Sequence, residues 1–204
     1  MRGRVGIFGG TFSPPHRAHL RVAEEALRQF ELSEVLFVPS GIPPHKAEDD
    51  VVDKEHRYQM VERMIAGHVG LAVSRIEIDR AGPSYTIDTL RALGTSLGKE
   101  MCFIVGADLL LDITTWREPD ALLRSVPFVL APRHGVARGQ FDEGPFRCAQ
   151  LHFLDMEEVD LSSTWVRDRI ARGEAYAKWV TPAVGEYITE HRLYRDKERA
   201  AVHP

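Results

Sequence analysis

The chain has 204 residues, enough for one α/β unit with a sizeable core and too few to require a second. Its 26 Lys and Arg against 30 Asp and Glu leave a formal net charge of −4, which argues against a surface built for nucleic acid. No apolar run approaches the roughly 20 residues of a membrane span, and the two cysteines, Cys102 and Cys148, are far apart, lack CxxC spacing and suit a reducing cytoplasm.

In chain order, Met1–Phe8 has a basic start but no apolar stretch or small-residue cleavage site, so Val5–Phe8 reads as a first strand and not as a secretion signal. Short apolar runs at Val35–Val38, Leu71–Val73, Met101–Val105, Phe128–Ala131 and Leu151–Leu154 read as further buried strands. Cys102 falls inside one of them and reads as a structural thiol. Between the runs, Ala18–Phe30, Lys54–Ala66, Thr86–Leu97 and Pro119–Arg124 carry helical spacing. This alternation predicts βαβ units: an α/β fold with a doubly wound, mostly parallel sheet, in a single domain over residues 1–204. Ligands of such sheets sit at the carboxyl ends of the strands, near the switch point. Ser162–Arg172 and Pro182–His191 read as two C-terminal helices, with Ser162 or Ser163 as a natural N-cap. Ser40–Val52 and Arg133–Pro145 read as long loops, and the mixed-charge tail from about Leu193 as frayed.

The most informative segment is Gly9-Gly10-Thr11-Phe12-Ser13-Pro14-Pro15-His16-Arg17-Ala18-His19, between the first strand and the first helix. Two glycines let backbone approach a phosphate closely, and a helix N-terminus offers unpaired N–H groups and a positive dipole end. His16 and His19, three apart, are expected on one helical face, aimed at one place. Two imidazoles so placed donate to phosphoryl oxygens and offset developing charge. Neither GxGxxG nor GxxxxGK[ST] is present, which disfavours a dehydrogenase or a P-loop protein. A plain strand–turn–helix corner with two surface histidines, or a zinc site lacking a third ligand, are the alternatives. Near the other end, Leu161-Ser162-Ser163-Thr164-Trp165-Val166-Arg167 puts hydroxyls at a helix start and a cation one turn later, a second arrangement suited to phosphates.

The first segment resembles the GTFDPxHxGH signature of the HxGH nucleotidyltransferase superfamily, with Ser13 in place of the usual Asp and Ala18 in place of the usual Gly. The second resembles the superfamily's ISSTxIR motif. Phe37-Val38-Pro39-Ser40-Gly41-Ile42-Pro43-Pro44-His45-Lys46, Gly82-Pro83-Ser84-Tyr85-Thr86-Ile87-Asp88-Thr89 and Gly106-Ala107-Asp108 followed by Trp116 resemble the FVPxxxPPHK, SYTxDT and GxD…W features of bacterial nicotinate-nucleotide adenylyltransferases.

The resemblance implies a Rossmann-like nucleotidyltransferase fold and transfer of AMP from ATP, with Mg²⁺, to nicotinate mononucleotide. It places ATP against Gly9, Gly10, Thr11, Phe12, His16, His19, Gly106, Asp108, Ser162, Ser163, Thr164 and Arg167. Of these, His16, His19 and Arg167 are the catalytic candidates, acting on the phosphates. On the acceptor side, Trp116 suits a flat cationic pyridinium ring, and the Tyr85 and Thr86 turn amides suit its carboxylate. Lys46 or Arg133 suits the mononucleotide phosphate, with Ser40 nearby. Glu48, Asp49 and Asp50 read as a solvated loop, and no protein metal cage is expected. A homo-oligomer is compatible with these features. The rival readings are the same chemistry on nicotinamide mononucleotide or another phosphorylated acceptor, and a non-catalytic nucleotide-binding protein on the same fold.

Overall fold

The computed structural model of the chain describes residues 1–42, 51–98 and 100–195. Lys46, the acidic triplet at 48–50 and the tail beyond residue 195 lie outside the described residues. Six parallel strands form one sheet in the order β3-β2-β1-β4-β5-β6. They are β1 (Val5–Gly10), β2 (Glu34–Pro39), β3 (Leu71–Val73), β4 (Met101–Gly106), β5 (Phe128–Ala131) and β6 (Leu151–Phe153). The helices are α1 (Arg17–Gln29), α2 (Lys54–Ile65), α3 (Thr86–Leu97), α4 (Ala107–Leu111), α5 (Pro119–Ser125), α6 (Ser163–Ala171) and α7 (Pro182–Glu190). Every apolar run that reads as a strand is one, and the doubly wound parallel sheet is the fold expected. Among the described residues no helix is long and apolar enough to cross a membrane.

The strands are apolar throughout because helices cover both faces of the sheet. Successive side chains alternate between two cores. Phe8, Phe37, Cys102, Ile104 and Val129 pack with Ala23, Met60, Val166 and Val184 on one side. Ile7, Val38, Phe103, Val105 and Leu130 pack with Leu90, Leu110 and Leu122 on the other. The connections β1-α1-β2 and β2-α2-β3 build outward in one direction, and α3 then returns the chain to the far side of β1. Strands β1 and β4 are therefore neighbours whose following segments leave in opposite directions. A crevice opens beyond their carboxyl ends, at Gly9, Gly10 and Gly106.

Four local features depart from the sequence reading. The first strand runs two residues further, because Gly9 and Gly10 still have Val38 and Pro39 of β2 alongside. Helix α4 is only five residues long, too short to show a period. The segment read as the loop Arg133–Pro145 is pinned by two 3-10 turns, Arg138–Phe141 and Gly144–Cys148, whose buried Phe141 and Phe146 rings meet edge to face at 5.0 Å. Leu193, expected at the start of a frayed tail, is buried, and the Tyr194 hydroxyl pairs with Ser13 Oγ at 3.1 Å.

The two thiols occupy opposite environments: Cys102 is fully buried in the centre of the sheet, and Cys148 is exposed. Burial pushes the Cys102 thiol up to about 11, so it holds almost no reactive thiolate at neutral pH. A thiol reagent at pH 8 is expected to modify one cysteine of the native protein and both after denaturation, with Cys148 as the native adduct by peptide mapping. Rapid native labelling of Cys102 would show that the sheet opens readily at β4.

Candidate active site

A cavity of about 340 Å³ lies beyond the carboxyl ends of β1 and β4. The chain enters it through Phe12, which turns at a φ of 51° and sinks its ring back into the core. That ring lies edge to face with Phe8 at 5.7 Å and tilted against Phe37 at 5.6 Å. It also explains Gly10: a Cβ there would come within 2.8 Å of the Phe12 ring. Backbone rather than side chain therefore lines this part of the cavity, which suits a phosphate.

His16 and His19 come together, but not as two positions of one helix. His16 is the N-cap of α1, with extended φ and ψ of −142° and 170°. Its backbone N–H donates to Nδ1 of His19 at 3.2 Å. The two rings stack with centroids 3.6 Å apart and planes 19° from parallel. Because Nδ1 of His19 accepts, the proton of its neutral ring sits on Nε2. His16 is 1% exposed, and its Nδ1 is buried with no hydrogen-bond partner among the described residues. Burial, with the charge of Arg133 second, holds its pKa down to about 3. His16 is thus a neutral ring at neutral pH, able to donate a hydrogen bond but not a cation.

The two phosphate-suited segments touch directly. The Ser163 hydroxyl donates to the Pro14 carbonyl at 2.9 Å, and Arg167 donates to the Ser13 carbonyl at 2.8 Å and to Thr164 Oγ1 at 3.1 Å. Ser162 caps α6 by accepting from the Trp165 N–H. Ser163 lines the cavity; Ser162, Thr164 and Arg167 do not. Arg133 closes the same side. It pairs with Asp108 at 3.5 Å and donates to the Leu161 carbonyl at 3.4 Å, ahead of the α6 entry. Gly106 permits that pair, since a Cβ there would meet Asp108 Oδ1 at 2.5 Å. Ala18, the methyl-bearing departure from the motif, is buried against the cavity.

On the opposite side Ser40, Tyr85, Thr86 and Trp116 line the cavity. Tyr85 is the N-cap of α3 and gives no side-chain cap, so the first-turn amides have no side chain bonded over them. The Trp116 indole is half-buried, with an edge-to-face contact to Phe103 at 6.4 Å. Two residues here went unread in the sequence. Arg117 lies over the Tyr85 ring at 4.7 Å and pairs with Asp88 at 3.5 Å. Glu77 is buried in the cavity wall, its carboxylate accepting from Thr89 Oγ1 at 2.6 Å with Ser84 as a further donor. Burial outweighs those bonds and pushes its pKa up.

A cytidylyltransferase-like family model matches residues 7–169. A Moorella thermoacetica protein named "Probable nicotinate-nucleotide adenylyltransferase" is 41% identical over 96% of this chain and 93% of its own. A Synechococcus protein of the same name is 42% identical over 95% of each. The chain belongs to the nicotinate-nucleotide adenylyltransferase family. The fold agrees: a Plasmodium falciparum nicotinic acid mononucleotide adenylyltransferase complexed with NaAD superposes with a TM-score of 0.81 over 95% of this chain and 98% of that one, at 19% identity. Within this adenylyltransferase family the Ser13 departure is absorbed locally, because its hydroxyl is paired with Tyr194 and its carbonyl with Arg167.

The buried neutral His16 has a consequence for stability. An unfolded histidine titrates near 6.5, whereas folded His16 stays neutral to about pH 3. Between those values the unfolded chain binds the extra proton, so stability falls as pH drops through the window, by up to about 1.4 kcal/mol per pH unit. Urea unfolding of wild type and His16→Gln at several pH values from 7 to 4 should show a wild-type loss that exceeds the variant's. Parallel curves would mean His16 protonates freely in the folded protein.

Proposed function

We propose that the chain transfers the AMP part of ATP to nicotinate mononucleotide, releasing pyrophosphate and giving deamido-NAD, a step of NAD biosynthesis. The observation that carries this reading is the pairing, across one crevice, of the stacked His16–His19 donors with the uncapped Tyr85–Thr86 turn and Trp116. ATP lies against the β1 end and the α1 and α6 starts, and the acceptor against α3. Joining them needs the acceptor's phosphate oxygen within about 3–3.5 Å of the α-phosphorus, in line with the leaving pyrophosphate. That oxygen is already ionised at neutral pH, so the step needs neither a protein nucleophile nor a general base.

What the protein supplies is position and charge. The stacked histidines donate to phosphoryl oxygens. Arg133, whose charge reaches His16, stands where the two phosphates meet and offsets their repulsion. Arg167, with two of its five donors held by Ser13 and Thr164, offers its remaining donors to the departing pyrophosphate beside Ser163. Mg²⁺ enters as part of MgATP. Among the described residues no group of three or more His, Cys, Asp or Glu could hold a metal, and Asp108 is engaged by Arg133.

Selectivity for the acid follows from the donors at the acceptor end. A carboxylate presents two acceptor oxygens to the Tyr85–Thr86 amides, whereas a carboxamide sets an NH₂ against an N–H. Glu77 offers the amide little help, because its oxygens already accept from Thr89 and Ser84. Losing a charge-assisted bond costs roughly 1.5–3 kcal/mol, tenfold or more in kcat/KM. Pyrophosphate release with ATP, Mg²⁺ and each mononucleotide should show nicotinate mononucleotide preferred by at least that factor. Trp116→Ala should weaken both substrates and leave their ratio nearly unchanged, since an indole face treats the two rings alike. Equal wild-type values would remove the acid assignment. A collapsed ratio in the variant would put selectivity in the tryptophan and not in the turn.

A further inference from the structure

Arg57, on α2, is one of the largest fully buried side chains, at 2% exposure, and it does not line the cavity. Its hydrogen-bond partners among the described residues are oxygens of neutral groups. Nε donates to the Val52 carbonyl at 3.1 Å, Nη1 to the Thr11 carbonyl at 3.0 Å and to the Ser40 carbonyl and hydroxyl, and Nη2 to the Gly41 carbonyl at 2.8 Å. Burying a guanidinium without a bonded carboxylate is costly, and an apolar side chain would fill the space without that cost. The residue type is explained by what it joins.

Thr11 belongs to the turn on the nucleotide side. Ser40 and Gly41 follow β2, and they hold the acceptor side: the Gly41 N–H donates to Ser84 Oγ at 3.1 Å, and the Ser84 N–H donates to the Ile42 carbonyl at 2.9 Å. Gly41 also lies hard against the Glu77 carbonyl, where a Cβ would come within 2.2 Å. The last ladder bond between the two strands runs from the Ser40 N–H to the Gly10 carbonyl. Beyond it the chains part to form the two walls of the crevice, and the guanidinium bridges them with its fixed fork of donors.

We propose that Arg57 is a positioning residue for the transfer reaction: it touches neither substrate and fixes the spacing between the ATP cradle and the acceptor turn that begins at Ser84. This rests on the assignment of the two substrates given above. A misplacement of about 1 Å between reacting groups can cost on the order of 10²-fold in rate while leaving each partner's own contacts in place.

The test uses the full chain with Arg57→Met and Arg57→Lys. Titration calorimetry should give affinities for ATP alone and nicotinate mononucleotide alone within about threefold of wild type. Saturated kcat should fall roughly 10²-fold in Arg57→Met and less in Arg57→Lys, which keeps the charge and some of the donors but loses the fork. A kcat within twofold of wild type in a folded variant, or a loss confined to one substrate's KM, overturns the proposal. Arg57→Lys carries the test if Arg57→Met does not fold. Amide hydrogen exchange separates this from the acceptor assignment. ATP alone should slow exchange in the segment 83–87 of wild type and not in Arg57→Lys, whichever mononucleotide is the acceptor. Equal protection in both proteins contradicts the link.

Discussion

The His16 N–H donates to Nδ1 of His19, and the chemistry of the crevice follows from that bond. It is available only because His16 is the N-cap of α1, outside the helix, with an N–H that no helical carbonyl claims. Through it the backbone selects the tautomer of His19 and brings the second ring flat against the first. Two imidazolium ions stacked this closely would repel, and burial with Arg133 nearby keeps His16 neutral. In the reaction proposed above, the phosphates of ATP would be met by these oriented donors, with the cationic work left to Arg133 and Arg167.

The surrounding structure holds that arrangement at several removes. Phe12 turns at positive φ and buries its ring, which leaves Gly10 as bare backbone beside the cavity. Ser163 and Arg167 bind the Pro14 and Ser13 carbonyls, so the α6 start is tied to the turn ahead of α1. Tyr194 anchors Ser13 from the other end of the chain. Arg57 extends the same framework sideways to Gly41, and Ser84 with Glu77 carries it to the Tyr85–Thr86 turn. The result is a pre-organised site, in which ordering is completed on folding and need not be repeated at each turnover.

The strands were legible because a parallel strand covered on both faces is a plain apolar run, and the glycine–histidine turn because few other arrangements need those residues together. Four things were not legible, each for a physical reason. An i, i+3 histidine pair has the same spacing whether the first residue is helical or a cap, so only φ and ψ reveal that His16 is outside α1. Arg57 and Glu77 look like surface charges in sequence, because nothing local marks a charged side chain whose partners are carbonyls and hydroxyls from other segments. Tyr194 sits in a polar tail, and its anchor, Ser13, is 181 residues away. Helix α4, five residues long, covers little more than one turn, so no hydrophobic period can repeat along it.

The reaction proposed here is a single in-line displacement at the α-phosphorus, driven by placement and charge, with no covalent enzyme intermediate. Its stereochemical course tests this most directly. ATP made chiral at the α-phosphorus with sulfur and an oxygen isotope would be turned over with nicotinate mononucleotide, and the configuration of the dinucleotide read by phosphorus NMR. A single displacement gives inversion. Retention would mean two successive displacements through a group on the protein, and would contradict it.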